Sequence, residues 1–352
     1  MTLLAPGLHH PFETAPEPGA ATEIAPGILW MRLPLPMALD HVNVYALEDS
    51  SGWTLVDTGM MTRKTIALWA ALIDGPLAGR PVTRLLVTHH HPDHIGLAGW
   101  FQARGVELLI PRTAWLLARM LVLDVQDRPP AESQLFYQRA GVGTAMLAKK
   151  ASERPFNFAD CVAPLPLGFT RLSKGDVIHA AGRRWQIRLG HGHAPDHATL
   201  WSLDDPLVIG GDQLLPGISA NIGVYPTEPE ADPLGDWLTS TRGFQAPARD
   251  DQLILPGHKL PFVGLPFRLA QMEDNHLTAL DRLHSHLSEP RRATESFAPL
   301  FRREIPENQF GLALVETVAH LNHLLRQGRI TRSLDADGAW LWRAAGRPHD
   351  QS

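Results

Sequence analysis

The chain has 352 residues, 44% hydrophobic and 20% charged, enough apolar material to bury a large core and too little charge for a disordered segment. A formal net charge of −5 gives no electrostatic basis for nucleic acid as the principal partner. The lone cysteine, Cys161, excludes an intramolecular disulfide and fits a reducing compartment. The N-terminus shows no basic start, long apolar region or small-residue cleavage site. No apolar run approaches the roughly 18 residues needed to span a membrane. The expected location is therefore the cytoplasm, with no membrane partner.

Residues 1–26, rich in Pro, Ala, Gly and Glu, read as an arm laid over the domain or disordered. Strands are predicted over residues 28–32, 42–47 and 53–57, followed by a helix over 62–73. Asp57, in the turn Asp57-Thr58-Gly59, is read either as holding that turn or as contacting a metal-bound histidine.

The next apolar run, Leu85-Leu86-Val87, ends in Thr88-His89-His90-His91-Pro92-Asp93-His94-Ile95-Gly96, the most informative stretch of the chain. A strand that delivers imidazoles and a carboxylate into one tight loop concentrates metal ligands at a sheet edge. Alternate residues of an extended segment share a face, so His89 and His91 can hold one ion. Asp93 and His94, past the bend imposed by Pro92, can turn toward a second. His90 lies out of phase and is expected to face away. His and carboxylate donors without Cys suit Zn²⁺, with Mn or Fe as competitors. A helix is predicted over residues 97–103.

Residues 112–153 read as a helical insertion with Trp115, Leu116, Met120, Leu135, Phe136, Tyr137, Val142 and Met146 as its apolar positions. It forms either a wall over the metal site, grooved for an acyl or aromatic group, or amphipathic helices burying their own stripe. A strand-rich portion follows over 176–211, with runs at 185–189, 198–201 and 206–209, and another run at 253–255. Near the ends of three of these, a glycine precedes a metal-capable side chain: Gly192-His193, Gly211-Asp212 and Gly257-His258. Glycine lets the backbone turn sharply and come close to an ion. His197 is expected to hydrogen-bond a ligand rather than coordinate, and His191 to sit on a pocket rim. Lys259 is read as a solvated lysine, or as one placed to greet an anionic substrate. Asn221 and Tyr225 either line the pocket or make local loop bonds. Two strand-rich portions with helices outside them fit an αββα sandwich.

From about residue 267 the texture becomes helical, with an amphipathic run from Val315 to Leu325 and then a hairpin over 329–343. Helices followed by a hairpin look like a winged helix. Residues 266–352 carry eleven Arg, no Lys and eleven Asp plus Glu, a net of zero. That balance favours a packing or homodimerising module over a nucleic-acid reader.

Taken together, His-x-His-x-Asp-His, Gly-His, Gly-Asp and Gly-His, with Leu55-Val56-Asp57-Thr58-Gly59 upstream, resemble the metallo-β-lactamase-fold hydrolase superfamily over approximately residues 27–260. The resemblance implies a four-layer αββα sandwich over 27–265, and the C-terminal portion, 266–352, a small winged-helix-like domain. It further implies a metal site of the glyoxalase II type: His89, His91 and His193 on one ion, Asp93, His94 and His258 on a second, and Asp212 bridging them. Two divalent ions, most naturally Zn²⁺, would then share a bridging hydroxide as nucleophile, with Asp93 and Asp212 as the catalytic carboxylates.

Particular residues narrow the branch. Asp212 stands where true β-lactamases of the fold usually carry Cys or Ser. No Tyr lies between His193 and Asp212, where quorum-signal lactonases have one, and His91 occupies a glutamate position of the flavin-dependent di-iron proteins. Pro256-Gly257-His258-Lys259 differs from the Cys-Gly-His-Glu of glyoxalase II. The remaining match is the branch with a C-terminal winged helix, which holds acyl-thioester hydrolases and a lactamase-like endoribonuclease. Its Gly211–Pro216 and Asp232-Pro233-Leu234 runs have counterparts here. The expectation is hydrolysis of an ester or thioester carbonyl in a small acyl substrate. Phosphodiester cleavage, lactone or β-lactam hydrolysis, and a non-catalytic metal-binding scaffold are the alternatives.

Overall fold

The computed structural model describes residues 7–346. The first six residues of the expected arm and the last six of the C-terminal portion lie outside the described residues. The chain divides into two compact units. The first takes residues up to 125, 156–220 and 244–268; the second takes 126–155, 221–243 and 269 onward.

Two sheets build the first unit. One is seven-stranded, in the order β1 (Ala21–Ala25), β2 (Ile28–Pro34), β3 (His41–Asp49), β4 (Gly52–Val56), β5 (Val82–Leu86), β6 (Glu107–Pro111) and β7 (Thr170–Leu172). Pairing is antiparallel from β1 to β4 and parallel from β4 to β7. The other sheet runs β8 (Val177–Ala180), β9 (Arg183–Gly190), β10 (His197–Ser202), β11 (Leu207–Gly211) and β12 (Leu253–Pro256). Only its β11–β12 pair is parallel.

The sheets share one core. Trp30, Tyr45, Leu47, Val56 and Leu86 of the first pack with Trp185, Ile187, Leu200, Ile209 and Leu255 of the second. On the other face of the seven-stranded sheet, Met31, Val44, Leu55 and Leu85 cluster with Trp69, Phe101 and Trp115. Those aromatics come from α1 (Arg63–Asp74), α3 (Ala98–Gln102) and α4 (Arg112–Leu123), with the single turn α2 (Pro92–Ile95) preceding α3. Central strand β3 is therefore buried on both faces, Val44 and Ala46 toward the helices, Tyr45 and Leu47 toward the second sheet. This is the αββα sandwich anticipated from the sequence.

Helix α1 starts where its cap dictates: Thr62 is extended and accepts the Thr65 N–H at 3.0 Å. Buried Trp69 donates through Nε1 to the Thr58 carbonyl at 2.7 Å, tying the helix to the loop beneath the site. Residues 21–25, assigned from composition to an arm, instead form β1, because Ile24 reaches the inter-sheet core. Strands β6 and β7 also escaped the sequence reading, being short and without alternation. The insertion over 112–153 holds three helices, α4, α5 (Ala131–Arg139) and α6 (Thr144–Ser152), separated before α5 by Pro129-Pro130. Only α4 belongs to the first unit.

The second unit contains α5, α6, most of α7 (Pro233–Gln245) and α8 (Leu265–His286), then α9 (Phe297–Phe301), α10 (Phe310–Arg326) and the hairpin of β13 (Ile330–Leu334) with β14 (Trp340–Ala344). The hairpin turn is set by Asp335, whose Oδ1 accepts the N–H groups of Asp337 and Ala339, both at 2.9 Å. Among the described residues no helix is long and apolar enough to cross a membrane.

Candidate metal centre

Strand ends of both sheets meet at one edge. Asp57 N–H, just past β4, bonds the Leu86 carbonyl at 2.9 Å, and Ala198 N–H crosses from β10 to the Thr88 carbonyl at 2.8 Å. Gly257 N–H joins the Gly211 carbonyl at 2.8 Å, while Asn43 N–H joins the Gly257 carbonyl at 2.7 Å. His91 is the extended N-cap of α2 and Pro92 its first helical residue, so the chain turns there and carries Asp93 and His94 back toward the strand ends.

These connections bring seven donors together. His89 Nε2 and His193 Nε2 each lie 3.0 Å from His91 Nδ1. Asp93 Oδ2 is 3.3 Å from His258 Nε2 and 3.6 Å from His94 Nε2. Asp212 reaches both sets: Oδ2 lies 3.4 Å from His193 Nε2 and 3.2 Å from His258 Nε2, and Oδ1 lies 3.4 Å from His94 Nε2. Three groups could each hold an ion: His89, His91 and His193; His89, His94 and Asp212; Asp93, His94 and His258.

The residues fit a cation on two grounds. First, buried His94 Nε2 and Asp212 Oδ1 lie 3.4 Å apart, yet neither makes a hydrogen bond of good geometry to the other or to any other described group. Second, the far side of three rings fixes their tautomers. His94 Nδ1–H donates to Asp57 Oδ2 at 2.8 Å and His258 Nδ1–H to the His41 carbonyl at 2.7 Å. Thr88 Oγ1–H donates to Asp57 Oδ2 at 2.8 Å, leaving that hydroxyl to accept from His89 Nδ1–H at 3.0 Å. His89, His94 and His258 thus turn Nε2 toward the same small volume, where a cation would take the place of any proton, as at metal-binding imidazoles.

Electrostatics point the same way. Burial, reinforced by neighbouring histidines, holds His89 and His91 well below the ordinary imidazole range. Burial also opposes charge on His94 and His258, yet Asp212 and Asp93 overcome it and raise both, His258 to about 9. Asp212 stays well below the carboxylate range despite burial, held there by His258 and His94. Asp93 behaves likewise. Cys161 is buried, and burial pushes its thiol up to about 11, so no thiolate enters the donor set.

Several neighbours have roles the sequence left open. Asp57 sits in the left-handed region (φ 62°) and accepts Thr88 N–H at 2.8 Å, so it holds both the turn and His94. His197 Nε2 accepts the Asp212 N–H at 3.0 Å, and its ring stacks on His89 at 4.5 Å, outside every donor group. His90 also falls outside them, stacked parallel on Phe158 at 6.2 Å. His191 bonds the Pro195 carbonyl. Asn221 and Tyr225 belong to the second unit and to no donor group; Asn221 donates to Glu316 Oε2 at 2.9 Å, and Tyr225 is 46% exposed.

Sequence reasoning missed Thr88, His41 and Asn43. Asn43 donates to the Pro256 and Lys259 carbonyls at 3.0 and 2.8 Å, fixing the loop that carries His258. Their signal was faint: His41 and Asn43 are polar residues alternating with Val42 and Val44 at the start of β3. Gly257 is required for packing, since a Cβ there would lie 2.2 Å from Asp212 Oδ1.

Comparison with known proteins agrees with this architecture. Residues 37–258 match the metallo-beta-lactamase superfamily, and residues 280–345 match the metallo-beta-lactamase-like C-terminal domain. The chain belongs to the metallo-beta-lactamase superfamily, and its clustered His and Asp side chains are arranged to bind metal ions. It is 25% identical over 315 residues, 86% of this chain and 94% of the other, to the probable metallo-hydrolase YqjP of Bacillus subtilis (strain 168). A beta-lactamase domain protein from Burkholderia ambifaria is similar at 34% identity and a TM-score of 0.86, covering 96% of this chain and 97% of that one. The metallo-beta-lactamase family protein TTHA1429 from Thermus thermophilus follows at 25% identity and a TM-score of 0.75, with 92% and 100% covered. These relationships make the chain a metallo-hydrolase in class.

Proposed function

We propose that the protein hydrolyses ester or thioester carbonyls of small acyl substrates with two metal ions, Zn²⁺ by the chemistry of the donors. The observation that carries this reading is the reach of Asp212, whose two oxygens lie within 3.4 Å of His193, His258 and His94. One carboxylate so placed serves both triads: His89, His91 and His193 on one side, Asp93, His94 and His258 on the other. Imidazole and carboxylate donors without sulfur suit Zn²⁺ in a hydrolytic site. When bound, such a pair of ions supplies Lewis-acid polarisation of the carbonyl and activation of water near neutral pH.

The chain's own groups supply the rest. Asp212 orients through Oδ2, and the His197 bond to its backbone N–H keeps that carboxylate in place. Asp93, with 16% side-chain exposure against 8% for Asp212, is the more accessible of the two carboxylates and the one assigned to proton transfer. An acyl group has an apolar surface to lie on. Thr113 N–H bonds Asp196 Oδ2 at 3.3 Å, anchoring the start of α4 to the loop that carries His193. From there Leu116, Met120 and Leu123 stand exposed along α4, at 53%, 42% and 67%.

The C-terminal unit, helix α10 followed by the β13–β14 hairpin, is winged-helix-like, and we assign it to packing or homodimer formation. Three of its arginines are paired with carboxylates, Arg292 with Asp335 and Asp337, Arg329 with Asp281 and Arg332 with Glu230, and residues 266–352 carry no net charge, a balance that gives a phosphate backbone little attraction. A cytoplasmic setting agrees with the buried thiol and the absence of paired cysteines. The test is elemental analysis joined to a substrate panel. About two metal equivalents and chelator-sensitive turnover of acyl thioesters or aryl esters are expected. Turnover confined to phosphodiesters, or none at full metal loading, would overturn the reading.

A further inference from the structure

A second concavity in the first unit, a cavity of about 520 Å³, shares its wall with the metal centre. Its charged and titratable lining is His10, Arg32, Asp40, His41 and Lys259. The link to the centre is direct. His258 Nδ1–H donates to the His41 carbonyl at 2.7 Å, His41 Nε2 accepts the Lys259 N–H at 2.9 Å, and the two rings lie 6.1 Å apart.

Both full cations of the lining lack a carboxylate partner among the described residues. Arg32 spends Nε on Asn43 Oδ1 at 3.3 Å and Nη2 on the Lys259 carbonyl at 3.1 Å, both neutral acceptors. The Lys259 ammonium has no ion-pair or hydrogen-bond partner there. Asp40 is the single acid of the lining; its Oδ1 accepts from His41 Nδ1–H at 2.5 Å, and its charge acts on both Arg32 and Lys259 without forming an ion pair with either. Burial presses the Arg32 guanidinium below its ordinary range, with Asp40 only partly offsetting it. Two cations against one carboxylate leave the cavity positive on balance, and an anion is the group that would relieve it.

The backbone is also arranged to aim this lysine. Lys259 occupies the left-handed region at φ 69°, a conformation unfavourable to a long side chain. Bonds to its N–H from His41 and to its carbonyl from Asn43 and Arg32 hold it there. Strain maintained immediately after His258 places a cation one residue from the donor cluster.

We propose that this pocket binds an oxyanion, carboxylate or phosphate, carried by the substrate, with Lys259 and Arg32 as the recognising cations. The proposal rests on the hydrolase reading above and narrows its substrates to acyl compounds bearing a negative group. The anion can sit on the leaving group or on the acyl part, and two substrate pairs separate these sources. One pair is an acyl-CoA against the neutral N-acetylcysteamine thioester of the same acid. The other is monophenyl succinate against phenyl acetate.

In the metal-loaded wild type, at least one anionic member should exceed its neutral partner in kcat/KM by about tenfold or more, the scale of one charge-assisted contact. Lys259→Met should collapse that ratio through KM, and Lys259→Arg should keep it. The pair that responds identifies where the anion lies. A variant that lowers both members equally, or a wild type without preference, would overturn the pocket's role. If no ester of either kind is cleaved, the hydrolase reading fails instead. Calorimetric titration of inorganic phosphate then tests the pocket alone: binding must weaken at least about tenfold in Lys259→Met, and equal binding by both proteins refutes it.

Discussion

Two histidine clusters, one in each unit, show what separates a metal centre from a packed core. In the second unit His276 Nδ1 lies 3.3 Å from His320 Nε2, and His320 Nδ1–H donates to the Glu316 carbonyl at 2.8 Å. His323 bonds Asp232 through Nδ1 at 3.0 Å and Gln327 through Nε2 at 2.8 Å. These bonds run from ring to ring and out to amide, carboxylate or carbonyl groups of the protein. In the first unit the outward-facing Nδ1 atoms of His89, His94 and His258 are likewise satisfied, but the inward nitrogens converge with two carboxylates, and His94 Nε2 and Asp212 Oδ1 meet at 3.4 Å without a well-formed hydrogen bond. The first cluster holds five histidines and the second three, but count alone does not make a metal site. What differs is the number of lone pairs aimed at one point.

The largest break in this contrast should come from Asp212→Ala, which removes the one carboxylate among the described residues that touches both triads. Hydrolysis should fall beyond the roughly 100-fold typical of changes outside the ligand set, with bound metal reduced and circular dichroism retained. Wild-type turnover in that variant would end the two-ion mechanism. Asp57→Asn comes next. It keeps the shape but removes the charge behind His94, so metal affinity measured by chelator competition should drop about 10–100-fold. An unchanged affinity would reduce Asp57 to a turn residue.

Acidity should act with opposite sign on the two clusters. In the metal-free protein His258 is raised from 6.5 to about 9. Its contribution to stability is complete below pH 6.5 and is lost as pH climbs through 9. A metal ion must displace that proton, so apparent affinity should rise about tenfold per pH unit per proton released, levelling near pH 9. His276 and His320 run the other way: burial lowers them to about 3 and about 4. Their contribution is complete above their ordinary 6.5 and fades as pH falls toward those values. His276→Leu should therefore flatten the acid limb of a Tm-against-pH curve and leave metal content alone; an unaltered limb would show that other groups control it. The smallest effect is expected from His90→Ala. Metal content should hold, while loss of the ring stacked on Phe158 removes about 1 kcal/mol of stability. Loss of metal in this variant would refute the alternation argument that turned His90 away.

Much of the centre was legible because its donors are strung on short motifs whose geometry is local. Alternation along an extended segment separates His89 and His91 from His90. Glycine before His193, Asp212 and His258 marks turns that have to approach an ion. The bond from Asp57 to Thr88 had no such mark, since the two residues are 31 positions apart and meet only where β4 lies parallel to β5. The same holds for His41, whose backbone carbonyl does the holding and whose side-chain identity says nothing of it. At fold level, β1 was hidden because its pairing with β2 outweighs a composition rich in Pro, Ala and Gly. The helical character of the insertion was legible, but its division was not, since α4 and α5 are consecutive in sequence and belong to different units.

Sequence alone determined the donor inventory, the strand-and-glycine punctuation that exposes it, and the helix-then-hairpin texture of the C-terminal portion. These are written in residue type and short-range periodicity, where a side chain's direction follows from its own backbone. Tertiary structure alone decided which nitrogens and oxygens face one another, which tautomers the supporting bonds impose, and that Arg32 and Lys259 share a cavity behind His258. Those outcomes depend on chain segments more than 200 positions apart, as in the bonds from His258 to His41 and from Arg32 to Lys259. Only packing of the two sheets can bring such segments into contact.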